Sequence, residues 1–163
     1  MTQPLRIVDF TDELAPEFLR INREWIEQMF SMEPHDLSVL ENPRAAIVDK
    51  GGQVLFVQDE RGDVLGTCAL MRSEDGFTEL TKMGVLAAAR GRGVGELLLH
   101  AALDKAQELG LEQRLFLLTN TACAAAIQLY EKSGFEHDEE IMQRFGRLYA
   151  RADVAMRFKP PGS

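Results

Sequence analysis

The sequence predicts one α/β domain of the α+β type, spanning residues 1–163 with a core at about 5–159. Its sheet is mixed and mostly antiparallel, with six to seven strands and helices on both faces. Three observations predict this class. The 163 residues suit a single core, strand-like runs are interspersed with helix-like runs, and residues 77–119 follow the order strand, glycine turn, helix, strand after an antiparallel meander.

The first third of the chain predicts one strand and two helices. Residues 5–10 indicate a short strand. A helix then begins at Thr11 or Asp12, because apolar side chains recur every three or four positions at Leu14, Phe18, Ile21, Trp25 and Met29. A second short helix opens with residues 34–36 and extends to Leu40, and Asn42-Pro43 closes it.

The remaining elements follow from β-rich runs, turn residues and helical spacing. Residues 53–58 and 64–71 predict a hairpin, and a third strand at 77–86 extends it into a meander. The apolar spacing after the glycine turn predicts a helix at 94–109. Four further elements complete the chain: a buried strand at 114–119, a helix at 121–132, and strands at 135–137 and 152–159.

Composition restricts the classes of partner and location. The net charge of -8, concentrated in the first 60 residues, disfavours nucleic acid as a partner, because binding phosphates requires a basic face. The sequence contains neither a long apolar run nor a charged-then-apolar leader, which predicts a cytoplasmic protein without membrane contact. Cys68 and Cys123 lie far apart and the histidines are scattered, so we expect neither a disulfide nor a metal site.

The most informative motif is Arg90-Gly-Arg-Gly-Val-Gly95, which is called the glycine turn below. Glycines allow a tight turn with exposed N–H groups, and a helix that begins there presents unpaired donors and the positive end of its dipole. Such a turn favours a bound anion, and two arginines add positive charge. The same motif also fits an ordinary strand-to-helix loop.

Two motifs together resemble the GCN5-related N-acetyltransferases. The first is Glu79-Leu-Thr-Lys-Met-Gly-Val85 followed by the glycine turn, in which Arg90, Gly93 and Gly95 fill the places of the family's signature loop. The second runs from Asn120 through Tyr130 to Gly134-Phe135. The resemblance implies an acyl-CoA N-acyltransferase fold and an acetyl-CoA-dependent enzyme that acetylates an amine without a metal.

The resemblance also implies which residues bind the coenzyme. The pyrophosphate would lie on the glycine turn, that is on Arg90, Gly91, Arg92, Gly93, Val94 and Gly95, and the pantetheine arm along Met83, Gly84 and Val85. Asn120 would contact the arm from the other side. An asparagine there also suits a simple cap for the helix predicted from residue 121.

Two residues resemble the family's proton-transfer groups. Tyr130 would protonate the departing thiolate as general acid, since a phenol stays protonated at neutral pH; helical spacing also suits a core tyrosine. Glu79 would act as general base, and a surface carboxylate or one paired with Lys82 is the alternative. Strand alternation places residues 79, 81, 83 and 85 on one face if no bulge intervenes.

The acceptor amine is expected near the first two helices, where the family builds its substrate site. Trp25, Phe30 and residues 34–42 are candidates there. Tyr149, Arg151 and Asp153, just before the last strand, could bind a charged acceptor or be ordinary surface residues. The acceptor could be a small molecule or a peptide, and a homodimer is one option that the family offers.

Two other functions remain as alternatives. A catalytically silent acyl-CoA sensor or interaction module would use the same fold, although Tyr130 favours catalysis. Nucleotide binding by a P-loop or a Rossmann turn is disfavoured, because no Gly-Lys-Ser/Thr follows the glycines and no acidic residue ends the strand at 114–119.

Overall fold

A seven-stranded sheet forms the centre of the protein. The computed structural model describes residues 4–162. The strands, in chain order, are β1 (Arg6–Asp9), β2 (Gln53–Gln58), β3 (Val64–Arg72), β4 (Thr78–Val85), β5 (Leu115–Thr119), β6 (Phe135–His137) and β7 (Val154–Phe158). Their order across the sheet is β1-β2-β3-β4-β5-β7-β6. Within residues 4–162, β4 and β5 are parallel and the other neighbouring strands antiparallel, which confirms the predicted fold class.

Helices cover both faces of this sheet. They are α1 (Ala15–Met29), α2 (Pro34–Leu40), α3 (Pro43–Ala46), α4 (Val94–Glu108), α5 (Ala124–Lys132) and α6 (Glu139–Phe145). One core cluster joins α1 and α2 to the sheet, with Phe18, Ile21 and Phe56 fully buried. The cluster on the opposite face includes Leu98, Leu99 and Leu115 and is covered by α4 and α5.

Several predicted boundaries were wrong at the helix N-termini. Residues 12–14 form a separate 3₁₀ turn that Thr11 does not cap with its side chain, so α1 begins at Ala15. A turn closed by Cys123 N–H and the Asn120 carbonyl, 2.8 Å apart, delays α5 to Ala124. Met29, expected on the apolar face of α1, is 43% exposed at the end of that helix.

Helices α3 and α6 were not predicted. The α6 helix begins where the Asp138 side chain accepts a hydrogen bond from Ile141 N–H at 2.9 Å, the usual role of an N-cap aspartate. It buries Ile141 and Phe145 against Phe116 and Ala155 of the sheet. This helix therefore covers β5 and β7. The sequence predicts no helix or strand between residues 137 and 152.

Candidate functional site

The candidate site lies where β4 and β5 separate. The two strands pair with each other at Thr78–Leu115 and Glu79–Phe116. In the described part of the chain they pair with each other no further, although β4 stays paired with β3 and β5 with β7. A cavity of about 60 Å³ lies between residues 80–83 of β4 and 117–120 at the end of β5. Its lining comes from both faces of the sheet, so it connects the α5 side with the α1 side.

A β-bulge in β4 changes the direction of the side chains that line this cavity. In the pairing with β3, Thr67 faces Gly84 and Ala69 faces Thr81, and Lys82 has a left-handed φ of 53°. The alternation of residues 79, 81, 83 and 85 was expected only without a bulge. Because a bulge shifts the alternation by one residue, that condition is not met beyond Thr81. Met83 and Val85 pack on the α4 side, whereas Thr81 and Lys82 both contact Tyr149 on the other.

The glycine turn has the geometry of an anion cradle. Gly91 and Gly93 have φ of 81° and 77°, values that favour glycine, and open space lies where their Cβ atoms would be. Gly93 is the N-cap of α4, and within residues 4–162 no side chain caps it. Exposed N–H groups and the positive end of a 15-residue helix thus face solvent beside the exposed Arg90 and Arg92.

The donors of the structure suit coenzyme A in two places. The glycine turn offers clustered N–H groups and two guanidinium groups for a pyrophosphate. The edge of β4 that faces the cavity, where Met83 lies, is not covered by β5, and such a free strand edge can pair with the amides of a pantetheine arm. Val85 lies two residues further along the same strand. Gly84, between them, faces α1, and Trp25 occupies the position where its Cβ would be.

Tyr130 lines the cavity from the α5 side. It is 8% exposed and packs edge-on against Phe135 with ring centroids 5.9 Å apart. Cys123, at the start of the same helix, lines the cavity as well. Burial raises the pKa of the Tyr130 phenol, so its proton is retained at neutral pH.

Glu79 is buried rather than on the surface. It is 1% exposed, and its Oε2 accepts a hydrogen bond from the Tyr149 hydroxyl at 3.2 Å. Its Oε1 is buried without a partner among the described residues. Burial raises the pKa of Glu79 to about 7, although the charge of Lys82 and the Tyr149 hydrogen bond favour the carboxylate.

The partner of Lys82 is Asp36, not Glu79. Lys82 Nζ lies 2.6 Å from Asp36 Oδ1, and Arg151 donates two hydrogen bonds of 2.8 Å to the same carboxylate. Burial opposes ionisation of Asp36, but these bonds outweigh it and hold the pKa of Asp36 well below its usual range. Glu33 also binds Arg151, at 3.1 Å.

These residues, Glu33, Asp36, Lys82, Tyr149 and Arg151, are called the Asp36 cluster. The surface alternative for Tyr149 and Arg151 is wrong, because Tyr149 is 5% exposed and the Arg151 side chain 14%. The resemblance indicated residues 34–42 for the acceptor site and Lys82 only as an alternative partner of Glu79, so neither Asp36 nor Lys82 was singled out as a member of the site. The two residues lie 46 positions apart in the chain, and only the fold brings them together.

Trp25 and Phe30 line the cavity beside Arg151, as expected of acceptor-site residues. The guanidinium of Arg151 lies 6.0 Å from the Trp25 ring, 5.8 Å from Phe30 and 4.8 Å from Tyr149. A second, open cleft of about 490 Å³ includes Phe30 and Arg151 and reaches the surface between residues 28–33 and 150–151. The cleft and the cavity share Phe30 and Arg151 as lining residues.

Asn120 does not cap α5. Its Nδ2 donates to the Arg151 carbonyl and its Oδ1 accepts from Ala122 N–H, both at 2.8 Å, four residues before the helix begins. It thereby fixes the segment that carries Arg151 to the end of β5. Asn120 also lines the cavity, where the resemblance would have it contact the coenzyme.

Residues 4–162 contain neither a metal-ion cluster nor a membrane-crossing helix. Within residues 4–162, no group of three or more His, Cys, Asp or Glu side chains is arranged to hold a metal ion. Among the same residues, no helix is both long and apolar enough to cross a membrane.

Comparison with known proteins identifies the family. The model of the Acetyltransferase (GNAT) family matches residues 12–135. Over 94 residues, 56% of each chain, the protein is 36% identical to the "Uncharacterized N-acetyltransferase YjgM" of Escherichia coli K12. The chain spans about half the length of the curated relatives it matches.

Solved structures support the same fold. A GNAT-family acetyltransferase from Staphylococcus aureus Mu50 superposes with a TM-score of 0.83 at 19% identity, covering 95% of this chain and 99% of the other. A ribosomal-protein-alanine N-acetyltransferase from Brucella melitensis gives a TM-score of 0.70 at 26% identity, with 93% and 97% covered. Since the family model covers more than half of the chain, including both motifs, the chain belongs to the GNAT acetyltransferase family.

Proposed function

We propose that the protein is an acetyl-CoA-dependent N-acetyltransferase that acetylates a primary amine of a small molecule or peptide by direct attack in a ternary complex. One observation carries the proposal: a cavity lined from both faces of the sheet has Tyr130 on one side and Trp25, Phe30 and Tyr149 on the other. A donor and an acceptor could meet there from opposite faces. The names of the relatives agree with this activity.

The coenzyme side of the proposal uses the glycine turn and β4. The N–H groups of residues 91–95, with Arg90 and Arg92, would bind the pyrophosphate. Met83 and Val85 would bind the pantetheine arm through backbone hydrogen bonds, and Asn120 would face it across the cavity. Bound acetyl-CoA would supply the acetyl thioester that the amine attacks.

Tyr130 is the general acid of the proposal. Its side chain lines the cavity from the α5 side, and its raised pKa keeps the phenol protonated at neutral pH. The phenol can therefore give its proton to the departing sulfur. A thiolate leaving group depends less on this proton than an alkoxide would, because thiols are the stronger acids.

Glu79 is the general base of the proposal. A base is most effective when its pKa lies near the working pH, and the pKa of about 7 for this buried carboxyl satisfies that condition. Orientation of the amine beside the thioester supplies a further part of the rate. We therefore expect loss of Tyr130 to reduce activity more than loss of Glu79.

Release of free thiol from acetyl-CoA over a panel of amines tests the proposal. The panel holds amino acids, polyamines, a peptide N-terminus, a lysine side chain and an aminoglycoside. We expect amine-dependent release with at least one class, and a rate about 10²-fold lower in Tyr130→Phe. Lys159→Gln, a surface variant, serves as control and should match the wild type.

Two results would contradict the proposal. Acetyl-CoA that stabilises the protein against heating, without amine-dependent thiol release in any arm, would indicate a sensor. Stabilisation by ATP or NAD but not by acetyl-CoA would indicate a different ligand class altogether.

A further inference from the structure

Glu79 has no direct path to the cavity in which the amine would react. It is 1% exposed and is not among the residues that line the cavity, whereas Tyr149 is. The Tyr149 hydroxyl contacts Glu79 Oε2 at 3.2 Å. A proton that leaves an amine in the cavity must therefore cross a second group before it reaches the carboxylate.

The surroundings of Tyr149 determine the direction of its O–H bond. Lys82 Nζ lies 3.3 Å from the hydroxyl oxygen, and an ammonium group can only donate. The phenol oxygen accepts that bond, so its own hydrogen is free for an acceptor. Of the acceptors in contact, the Glu79 carboxylate forms the stronger, charge-assisted bond. In the relay the Thr81 hydroxyl, 3.2 Å away, does not donate to the phenol oxygen, which leaves one acceptor position of that oxygen for the amine.

We propose that Tyr149 carries the proton from the acceptor amine to Glu79 and is a further catalytic residue of the transfer, a role that rests on the proposed function. Lys82 is a positioning residue in this relay. Its own position is fixed by the 2.6 Å contact with Asp36 and by the bulge at which it stands. Its ammonium group also lies 4.4 Å from the centre of the Tyr149 ring, which holds the ring in place.

The relay conserves every proton. An N–H bond of the protonated amine breaks as its proton goes to the Tyr149 oxygen, and the original O–H bond of Tyr149 breaks as its proton goes to Glu79 Oε2. The amine becomes neutral, Tyr149 remains a neutral phenol and Glu79 becomes a carboxylic acid. Because Glu79 is enclosed, its proton returns to solvent through Tyr149 after the product has left.

Several charged groups surround this pair and are part of its pH dependence. From β4, Lys82 donates to the Tyr149 hydroxyl and its charge acts on Glu79. From the segment before β7, the Arg151 guanidinium lies 4.8 Å from the Tyr149 ring, and its charge also acts on Glu79. Glu33, which precedes α2, and His35 and Asp36, which lie in α2, face the same group of residues. The His35 ring lies 5.1 Å from that of Tyr149, and burial lowers the pKa of His35, which favours its neutral form.

The two tyrosines of the chain give a matched pair of variants for the test. The rate of amine-dependent thiol release, expressed as kcat/KM, is measured against pH in wild type, Tyr149→Phe, Glu79→Gln, the double variant and Tyr130→Phe. We expect the wild-type rate to rise with pH through an inflection near 7. Tyr149→Phe and Glu79→Gln should each lose that inflection and about 10–100-fold in rate at neutral pH.

Two further outcomes distinguish a relay from a structural role. If the residues act in series, the double variant should be no slower than either single variant. Tyr130→Phe should be slower than wild type but keep the inflection. A Tyr149→Phe enzyme that keeps the inflection, or a double variant whose losses multiply, would overturn the relay while leaving the proposed function intact. No thiol release from the wild type would instead contradict both.

A titration of the protein without ligands checks the contact itself. The carboxyl carbon of Glu79, followed by NMR in protein labelled at glutamate and assigned with Glu79→Gln, reports its protonation directly. Loss of the Tyr149 hydrogen bond should raise the pKa of Glu79 in Tyr149→Phe, because that bond favours the carboxylate. An unchanged titration in a folded variant would show that the hydroxyl does not bind Glu79, which would overturn the relay.

Discussion

Glu79 shows how burial, rather than a partner, adjusts a single side chain for proton transfer. A carboxyl with an ordinary pKa of 4.5 reaches about 7 because the strand encloses it and one of its oxygens has no partner among the described residues. The neighbouring carboxyl of Asp36 is also buried, but two cations and a backbone N–H hold it ionised. The surroundings of these two buried carboxyls thus shift their pKa values in opposite directions.

Replacement of Glu79 by Gln should change stability in a pH-dependent way. Because the pKa is higher in the folded chain than in the unfolded one, wild type loses stability as pH rises from the unfolded value through about 7. Gln cannot ionise, so the variant should gain relative to wild type, on the order of 3 kcal/mol in total. Urea unfolding at about pH 5 and about pH 8 measures the change. An equal difference between the two proteins at both pH values would contradict the assigned burial.

Gly84 allows α1 to approach β4 closely, because it has no side chain. A Cβ there would lie 2.4 Å from Trp25 Cδ1, so Gly84→Ala must displace the indole and should destabilise the fold by about 1–3 kcal/mol. The emission of the single tryptophan should shift with it. Gly95→Ala is the matched control, since its Cβ would meet nothing closer than Val85 at 3.9 Å. Unchanged emission and stability in Gly84→Ala would rule out this packing.

At the level of elements, the Asp36 cluster joins three parts of the chain. It connects the start of α2 to the bulge of β4 and to the segment at 149–151, and Glu33 adds a hydrogen bond to Ala150 N–H at 2.8 Å. Three of its members, Lys82, Tyr149 and Arg151, line the cavity on the α1 side. The cluster therefore contributes to the shape and the charge of that side of the cavity.

Asp36→Ala should loosen that side of the cavity. Its removal leaves Lys82 and Arg151 without their main partner, and such a loss within a buried network costs about 3–5 kcal/mol. Hydrogen exchange should increase at residues 149–152. Asp12→Ala breaks an ion pair of the same 2.6 Å length with Arg44 at the surface and should cost less than about 1 kcal/mol. Equal effects of the two variants would be inconsistent with a buried network.

The elements also show how far sequence could predict the site. Periodicity and turn residues were sufficient for β2, α2 and β6, whose bounds match the predicted ranges, because local preferences and burial agree there. They were not sufficient for the bulge at Lys82. The left-handed φ of this lysine accompanies a shift in register between β4 and its neighbour β3, which local sequence does not determine. The separation of β4 from β5 and the Asp36–Lys82 contact are likewise properties of the assembled sheet.

At the scale of the whole molecule, the two faces of the sheet meet at the cavity between β4 and β5. The glycine turn and α4 lie on the side of the coenzyme candidates, and α1, α2 and the segment before β7 lie on the side of the acceptor candidates. The excess negative charge of the first 60 residues therefore falls largely on the acceptor side. The positive glycine turn is placed apart from it, which suits one anionic and one amine ligand.

The central claim is that acetyl-CoA binds across the glycine turn and the free edge of β4. Backbone amide shifts recorded during titration with acetyl-CoA test it most directly. We predict saturable changes that are largest at residues 83–85 and 91–96, with smaller ones at Asn120 and Tyr130. Saturable binding whose largest changes lie elsewhere, for example in the shallow cleft around Phe10 and Arg44, or no binding at all, would contradict the account.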